Sequence, residues 1–412
     1  MAIYIPNETS NRIVLAGVES IPGVAVTPDF RLLGEFTASK SAALSRTPEA
    51  TGGYDRLATP KRGAVSFSGS YSEAPTYVSL AQLLRVSLRG GDTGTLVSGS
   101  TGAYQYTKSP SFDTDDVETM TVQENVPGLG FQATGVRFSD FNISMDADDT
   151  GGAWQYSAGQ VRMRSYDDLP GAFEGVVTSA TDTTVTMTGA AFVVDDWVGA
   201  YYFANPGSHI GAVRQIESNT ADTLTFSTPF EPGEIPQAGD TFRIEAMFPA
   251  GLPIPNDEAI ASYGTKVFLD PVGEIGTTNV APHRVISANI TVSQTLTDKR
   301  FLGNGMDEVS SRVGKGAREV TGQIRLEFDR RDELLQWKNM DEFALRFEQE
   351  GDEIDSGIHN RVRIDVPRAV WDDYTRDTRA ENLTVTMGWV AYLPPSGNIV
   401  TFDVINDVPV LP

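Results

Sequence analysis

From Ala64 to Ser72, Val65, Phe67, Gly69 and Tyr71 alternate with Ser66, Ser68, Ser70 and Ser72. Period two with polar partners predicts a strand with one buried and one wet face. The period changes at Pro75-Thr76, after which Tyr77, Leu80, Ala81, Leu84 and Leu88 fall on one stripe. That spacing predicts a short helix, stopped by Gly90-Gly91. Val136–Ile143 and Gln160–Ser165 read as further strands, with a turn at Asp146–Gly152 between them. Gly322–Phe328 repeats the alternation, and Asp332–Trp337 reads as a second short helix. Residues 1–30, punctuated by Pro6, Pro22 and Pro28 without lasting periodicity, read as an extended arm. The fold class expected is all-β, with short strands and turns predominating.

Near Pro170 the text becomes rich in Thr, Val and Ala, with hairpin signals at Ser218-Asn219-Thr220 and Glu231-Pro232-Gly233. Pro249–Pro255 is a Pro/Gly-rich linker. Three divisions follow: 1–170, a small β module at 171–250, and 251–412. The outer two look alike. Phe36–Ser39 resembles Ile290–Ser293, and the strand ending at Tyr71 resembles Gly322–Phe328. The helix after Pro75 resembles the one at Asp332. Val136–Phe138 resembles Val362–Ile364, and Val161–Met163 resembles Val385–Met387. The collinear order points to an internal duplication.

The chain has 412 residues, no cysteine and a net charge of −23. Absent cysteine removes disulfides, thiolate metal sites and thiol nucleophiles. The negative charge opposes binding to a phosphate backbone. No apolar run approaches a membrane span, and Met1–Pro6 does not read as a signal peptide. Three histidines, His209, His283 and His359, show no metal-ligand spacing. Asp146-Ala147-Asp148-Asp149-Thr150-Gly151 has the start of a calcium loop, but its twelfth position is Ser157 in place of the bidentate Glu. The acidic clusters Asp113–Glu118 and Glu348–Asp355 read as exposed loop charge rather than paired catalytic carboxylates. No catalytic motif is present, so neither an enzyme nor a cofactor is expected.

Basic residues gather before the alternating strands: Arg46, Arg56, Lys61 and Arg62, then Arg300, Arg312, Lys315 and Arg318. They read as loops reaching acidic surface on a neighbouring copy, where charge fixes partner and register.

An arm, a strand, a long Gly/Ala/Ser/Arg loop, an alternating strand, a short helix and closing strands together resemble the tail tube (major tail) protein of long-tailed bacteriophages, present twice. The resemblance implies two β-sandwich/barrel domains, each with a short flanking helix, separated by the small inserted module. It implies rings stacked into a tube in the virion tail, made in the host cytoplasm. Three two-domain chains would close a pseudo-hexameric ring. The implied partners are other copies of the chain, other tail proteins at the tube ends, and a tape-measure protein inside. DNA would pass without specific binding. Candidate lumen-facing positions are Ser66, Ser68, Ser70 and Ser72, with Gln323, Arg325, Glu327 and Asp329. An alternative is a virion surface adhesin that binds host carbohydrate through its β modules.

Overall fold

The serine–apolar alternation does form a strand, and it runs further than the alternation itself. The computed structural model describes residues 13–48, 57–88, 91–110, 118–126, 129–147, 152–168, 171–198, 200–204, 213–245, 258–278, 284–298, 313–328, 331–377 and 383–411. The first region contains β1 (Ile13–Val18), β2 (Phe30–Leu32), β3 (Glu35–Pro48), β4 (Leu57–Glu73), α1 (Tyr77–Ser87), β5 (Thr95–Leu96), β6 (Tyr104–Lys108), β7 (Met120–Val126), β8 (Leu129–Asp146), β9 (Gln155–Arg162) and β10 (Ser165–Asp168). The middle region contains β11 (Gly171–Val176), β12 (Ser179–Ala180), β13 (Thr184–Thr186), β14 (Tyr201–Ala204), β15 (Val213–Asn219), β16 (Thr223–Phe226) and β17 (Thr241–Glu245). The last contains β18 (Lys266–Pro271), β19 (Val285–Asp298), β20 (Val313–Glu327), α2 (Asp332–Asn339), β21 (Phe343–Asp355), β22 (Ile358–Asp377), β23 (Thr384–Ala391) and β24 (Thr401–Asn406). The fold is mainly β, as expected. The expected arm contains the strand β1, whose buried Val14, Leu15 and Ala16 are a short apolar run without alternation.

Two compact units emerge. The larger takes 17–121, 134–165 and 253–412. Its long sheet runs β3-β4-β9-β8-β19-β20-β23-β22, antiparallel at every step. The order β3-β4-β9-β8 recurs as β19-β20-β23-β22. This sheet is open, not closed into a barrel. A second antiparallel set, β18-β21-β22-β24-β6-β5, shares β22, whose first half pairs there and whose second half pairs with β23.

Apolar residues of the long sheet sit on one face: Phe36, Phe67, Tyr71, Phe141 and Tyr156, then Ile290, Ile324, Met387 and Trp389. Phe141 stacks on Tyr156 at 5.5 Å between ring centres and meets Phe402 of β24 at 5.9 Å. Such rings carry much of the core's apolar area. The helix α1 is buried along its whole length. Thr76 and Ser79 cap it reciprocally, Ser79 N–H to Thr76 Oγ1 and Thr76 N–H to Ser79 Oγ. The helix α2 is amphipathic and largely exposed; it stops at Met340, which adopts the left-handed conformation (φ 54°).

The smaller unit is built around 166–252. Its seven strands run β11-β17-β14-β15-β16-β13-β12. Tyr202, Phe226, Phe230 and Phe242 pack together with centroids 5.1–6.0 Å apart. This cluster, with Val177, Ile216, Leu224 and Ile244, is a core internal to the module.

Candidate functional site

The face of the long sheet opposite its core is polar, and strand register shows that it is continuous. Residues paired across antiparallel strands share a face. Ser72 pairs with Ser157, Ser157 with Asn142, Asn142 with Thr291, and Thr291 with Thr321. Ser144 pairs with Asn289, and Asn289 with Gln323. One surface therefore carries Ser66, Ser68, Ser70 and Ser72 of β4 together with Gln323, Arg325 and Glu327 of β20. Ser66, Ser68, Ser70 and Gln323 are exposed, while Arg325 and Glu327 are half-buried. Asp329 lies outside the described residues.

The chemistry of this face is mostly neutral. A hydroxyl ladder crosses β3·β4: Thr37 to Ser70 at 2.6 Å, Ser39 to Ser68 at 3.0 Å and Ser41 to Ser66 at 2.8 Å. Further along, Asn142 Nδ2 donates to Thr291 Oγ1 at 2.7 Å, and Gln323 N–H donates to Asn289 Oδ1 at 2.9 Å. A concavity of about 530 Å³ is lined here by Ser144, Asp146, Ser287, Asn289, Gln323 and Arg325, among others.

The basic residues occupy a different setting from the one expected. Arg46, Lys61, Arg62, Lys315 and Arg318 lie on strands, not in loops: Arg46 pairs with Pro60, Ser45 with Lys61, Leu44 with Arg62, Leu296 with Lys315 and Gln294 with Arg318. The small residues of these stretches do not forbid extended pairing, and each strand supplies the other's ladder. Two long hairpin arms result, reaching Pro48·Leu57 and Asp298·Val313. Arg318 Nη2 donates to Gln294 Oε1 at 3.2 Å, and burial lowers the Arg318 pKa. Arg56, Arg300 and Arg312 lie outside the described residues.

The sheet's two ends are β3 and β22. Among the described residues, β3 pairs with β4 alone, and 370–377 of β22 pair with β23 alone. Sheet edges of this kind can template further strand pairing. Where β8 meets β19 the equivalent edges are already joined, from Ser287·Asp146 to Ser293·Asp140. The Asp140 carboxylate then accepts the N–H of Gln294, the next residue, at 2.9 Å. Sequence reading did not foresee this junction. The aspartate at a bulge is its only local signal.

A buried carboxylate fixes the passage from β4 into α1. Tyr71 OH and Ser79 Oγ both donate to Glu73, the latter at 2.7 Å, and Gly34 N–H donates to Tyr71 OH at 3.1 Å. Burial pushes the Glu73 carboxyl up despite these donors. The acidic stretch Glu348–Asp355 belongs to β21, which ends at a turn. Asp355 accepts from Ser100 Oγ, Thr101 N–H and Thr101 Oγ1 at 2.6–3.0 Å, and these donors hold its carboxyl well below the usual range. Among the described residues no group of three or more His, Asp or Glu is arranged to hold a metal ion. No described helix is long and apolar enough to cross a membrane.

A family model described as phage tail tube protein matches residues 155–391, from the start of β9 to the end of β23 and through the middle module. None of the curated proteins compared with the chain matches it. With more than half of its length matched, the chain belongs to the phage tail tube protein family, and it is a structural component of the virion tail.

Proposed function

We propose that the chain carries two tube domains, 1–170 and 251–412, on either side of the inserted module 171–250, and that three chains close one ring. The observation that supports this is the recurrence of one strand order, β3-β4-β9-β8 and β19-β20-β23-β22, within a single sheet joined at β8·β19. Each chain then fills two of six positions, and rings stack into the tube. Closure pairs the two remaining sheet edges, which removes a route to indiscriminate aggregation.

The polar face turns toward the lumen in this reading. Ser66, Ser68, Ser70 and Gln323 line it with hydroxyls and amides, Glu327 and Asp329 add negative charge, and Arg325 supplies a positive one. Few fixed cations and a net charge of −23 leave little to retain a polyanion, so DNA passes without specific binding. The hairpin-arm cations Arg46, Lys61, Arg62, Lys315 and Arg318, together with Arg56, Arg300 and Arg312 of the same sequence clusters, meet the neighbouring copy or the next ring. The tape-measure protein occupies the lumen before DNA does, other tail proteins meet the tube ends, and the chain is made in the host cytoplasm. Family membership does not favour the carbohydrate-binding adhesin.

Mass measurement of a covalently cross-linked ring tests the stoichiometry. Three chains are expected; six would overturn the two-domain reading. Negative-stain microscopy of the concentrated protein should show stacked rings with a central hole, and monodisperse monomers would overturn the assembly.

A further inference from the structure

The junction inside the chain is a template for the junction between chains. Its use requires residue-level equivalence, and the sheet supplies three independent markers. Gly69 pairs with Ala38 and Val161, and Gly322 pairs with Ile290 and Trp389. At both glycines a Cβ would run into the preceding strand, 2.3 Å from Thr37 O and 2.2 Å from Asn289 O. The outer strands agree. Pairing of β3 with β4 slips between Ala42 and Leu44, and pairing of β19 with β20 slips between Gln294 and Leu296. Pairing of β8 with β9 slips after Phe138, at Asp140, and pairing of β22 with β23 slips after Trp371, at Asp373. Thus Ser41 corresponds to Ser293, Ala42 to Gln294, and Asp373 to Asp140.

We propose that 373–377 of one chain pairs antiparallel with 37–41 of the next in a single register, with Asp373 opposite Ser41, Tyr374 opposite Lys40, Thr375 opposite Ser39, Arg376 opposite Ala38 and Asp377 opposite Thr37. The partner is a second copy of this chain. The inference rests on the ring reading above and specifies its contact. Asp373 takes the positioning role of Asp140 and accepts the N–H of Ala42 in the neighbour. In the isolated chain its carboxylate turns onto its own strand instead, to Tyr374 N–H at 2.8 Å and Thr375 Oγ1 at 3.3 Å. On the polar face, Thr375 and Ser39 replace the Asn142–Thr291 hydrogen bond.

The other face shows why the free edges do not pair indiscriminately. Inside the chain the core-facing positions are Phe141, Ile143 and Val292, all buried. At the two end strands the same positions are Tyr374, Arg376 and Lys40. Lys40 lies over the Phe67 ring at 5.6 Å, and Tyr374 stacks on Trp337 at 5.5 Å. Amphipathic side chains cover the apolar surface while keeping their charges in water. Inward-facing charge on an edge strand opposes wrong pairing.

The chain has no cysteine, so disulfide trapping reads the register directly. Opposed Cα atoms in an antiparallel pair are about 4.5–5.5 Å apart, within disulfide range. Thr375→Cys is combined with Ser39→Cys, and, as two-residue offsets on the same face, with Thr37→Cys or Ser41→Cys. Mild oxidation of the full chain, assembled at high concentration, should give dimer and trimer bands for 375/39 and lose them for both offsets. Rings visible by microscopy with trapping at an offset, or with no trapping, would overturn the register while leaving the ring intact. Absence of rings in the unsubstituted chain would overturn the ring reading and the contact with it. As a second measure, Asp373→Ala should raise the concentration needed for ring formation. An unchanged threshold would remove Asp373 from the contact.

Discussion

Asp140 and Gln294 meet where β8 stops pairing with β19: Ser293·Asp140 is the last pair of that ladder, and the carboxylate accepts the N–H of the very next residue at 2.9 Å. A backbone donor just beyond a strand ladder needs an acceptor, and an ionised side chain is a strong one. The contact ends the ladder that joins the two halves of the long sheet.

Removing that acceptor should weaken the larger unit. Asp140→Ala is expected to lower unfolding free energy by about 1.5–3 kcal/mol, the range for a hydrogen bond to a charged group. Asp140→Asn keeps an acceptor oxygen and should lose less. Urea unfolding followed by tryptophan fluorescence measures both. An Asp140→Ala midpoint equal to that of the unsubstituted chain would make the contact incidental.

Gly322 and Gly69 should tolerate no side chain. A Cβ at Gly322 would lie 2.2 Å from Asn289 O and 2.4 Å from the Trp389 ring. One at Gly69 would lie 2.3 Å from Thr37 O. Relief requires the adjoining strand to shift, and overpacking of this kind costs about 1–3 kcal/mol. Gly322→Ala and Gly69→Ala are each expected to lower the urea midpoint, whereas Gly99→Ala, whose Cβ would meet nothing within 4 Å although its φ of +89° carries its own strain, should lose less than either. A smaller loss at Gly322 than at Gly99 would count against the close approach.

Much of this architecture was readable from period and punctuation. The serine alternation of β4 and the stripe of α1 each follow one rule, and both elements appear where the residues predict them. Register was less accessible. The sequence resemblance sets Phe36 against Ile290, whereas the glycine markers align Ala38 with Ile290. It sets Val161 against Val385, whereas Val161 and Trp389 pair with the equivalent glycines. Alternation repeats every two residues, so it fixes a face and leaves the position along the strand open. The hairpin arms misled for another reason: Gly, Ala, Ser and Pro lower strand propensity, but a long partner strand overrides propensity. Serine spacing selects one face of β4, and the alternation of β20 selects one face there, but neither says that the two faces belong to one surface. Its continuity with Asn142, Thr291 and Asn289 needed the pairing of β8 with β19.

Glu73 should make stability depend on pH in a predictable direction. Burial raises its folded carboxyl above the ordinary value of 4.5. Below that value both folded and unfolded chains hold the proton, and the residue's contribution is fully present. As pH rises through the unfolded value toward the raised folded one, the unfolded chain ionises first and the contribution is lost. Glu73→Gln removes this titration while preserving an acceptor oxygen for one of the two donors, Tyr71 or Ser79. The stability difference, unsubstituted minus Glu73→Gln, is expected to fall between pH 4 and pH 8 in urea titrations. A difference that grows with pH would mean that the donors outweigh burial.

The inserted module should be dispensable for assembly. Gly171 and Glu245 are paired Cα partners where β11 meets β17, so the chain enters and leaves the module about 5 Å apart. A short Gly/Ser linker can therefore span the excision of 172–244 at small loop-closure entropy. The excised piece takes its own core with it, including Tyr202, Phe226, Phe230 and Phe242. The strands proposed to close the ring, β3 and β22, are not among those removed. The shortened chain is expected to keep its β circular-dichroism signature and to form tubes of unchanged lumen diameter in negative stain. Retention of the β signature with loss of tubes would show that the module takes part in ring contacts, and the two-edge account of closure would then be insufficient.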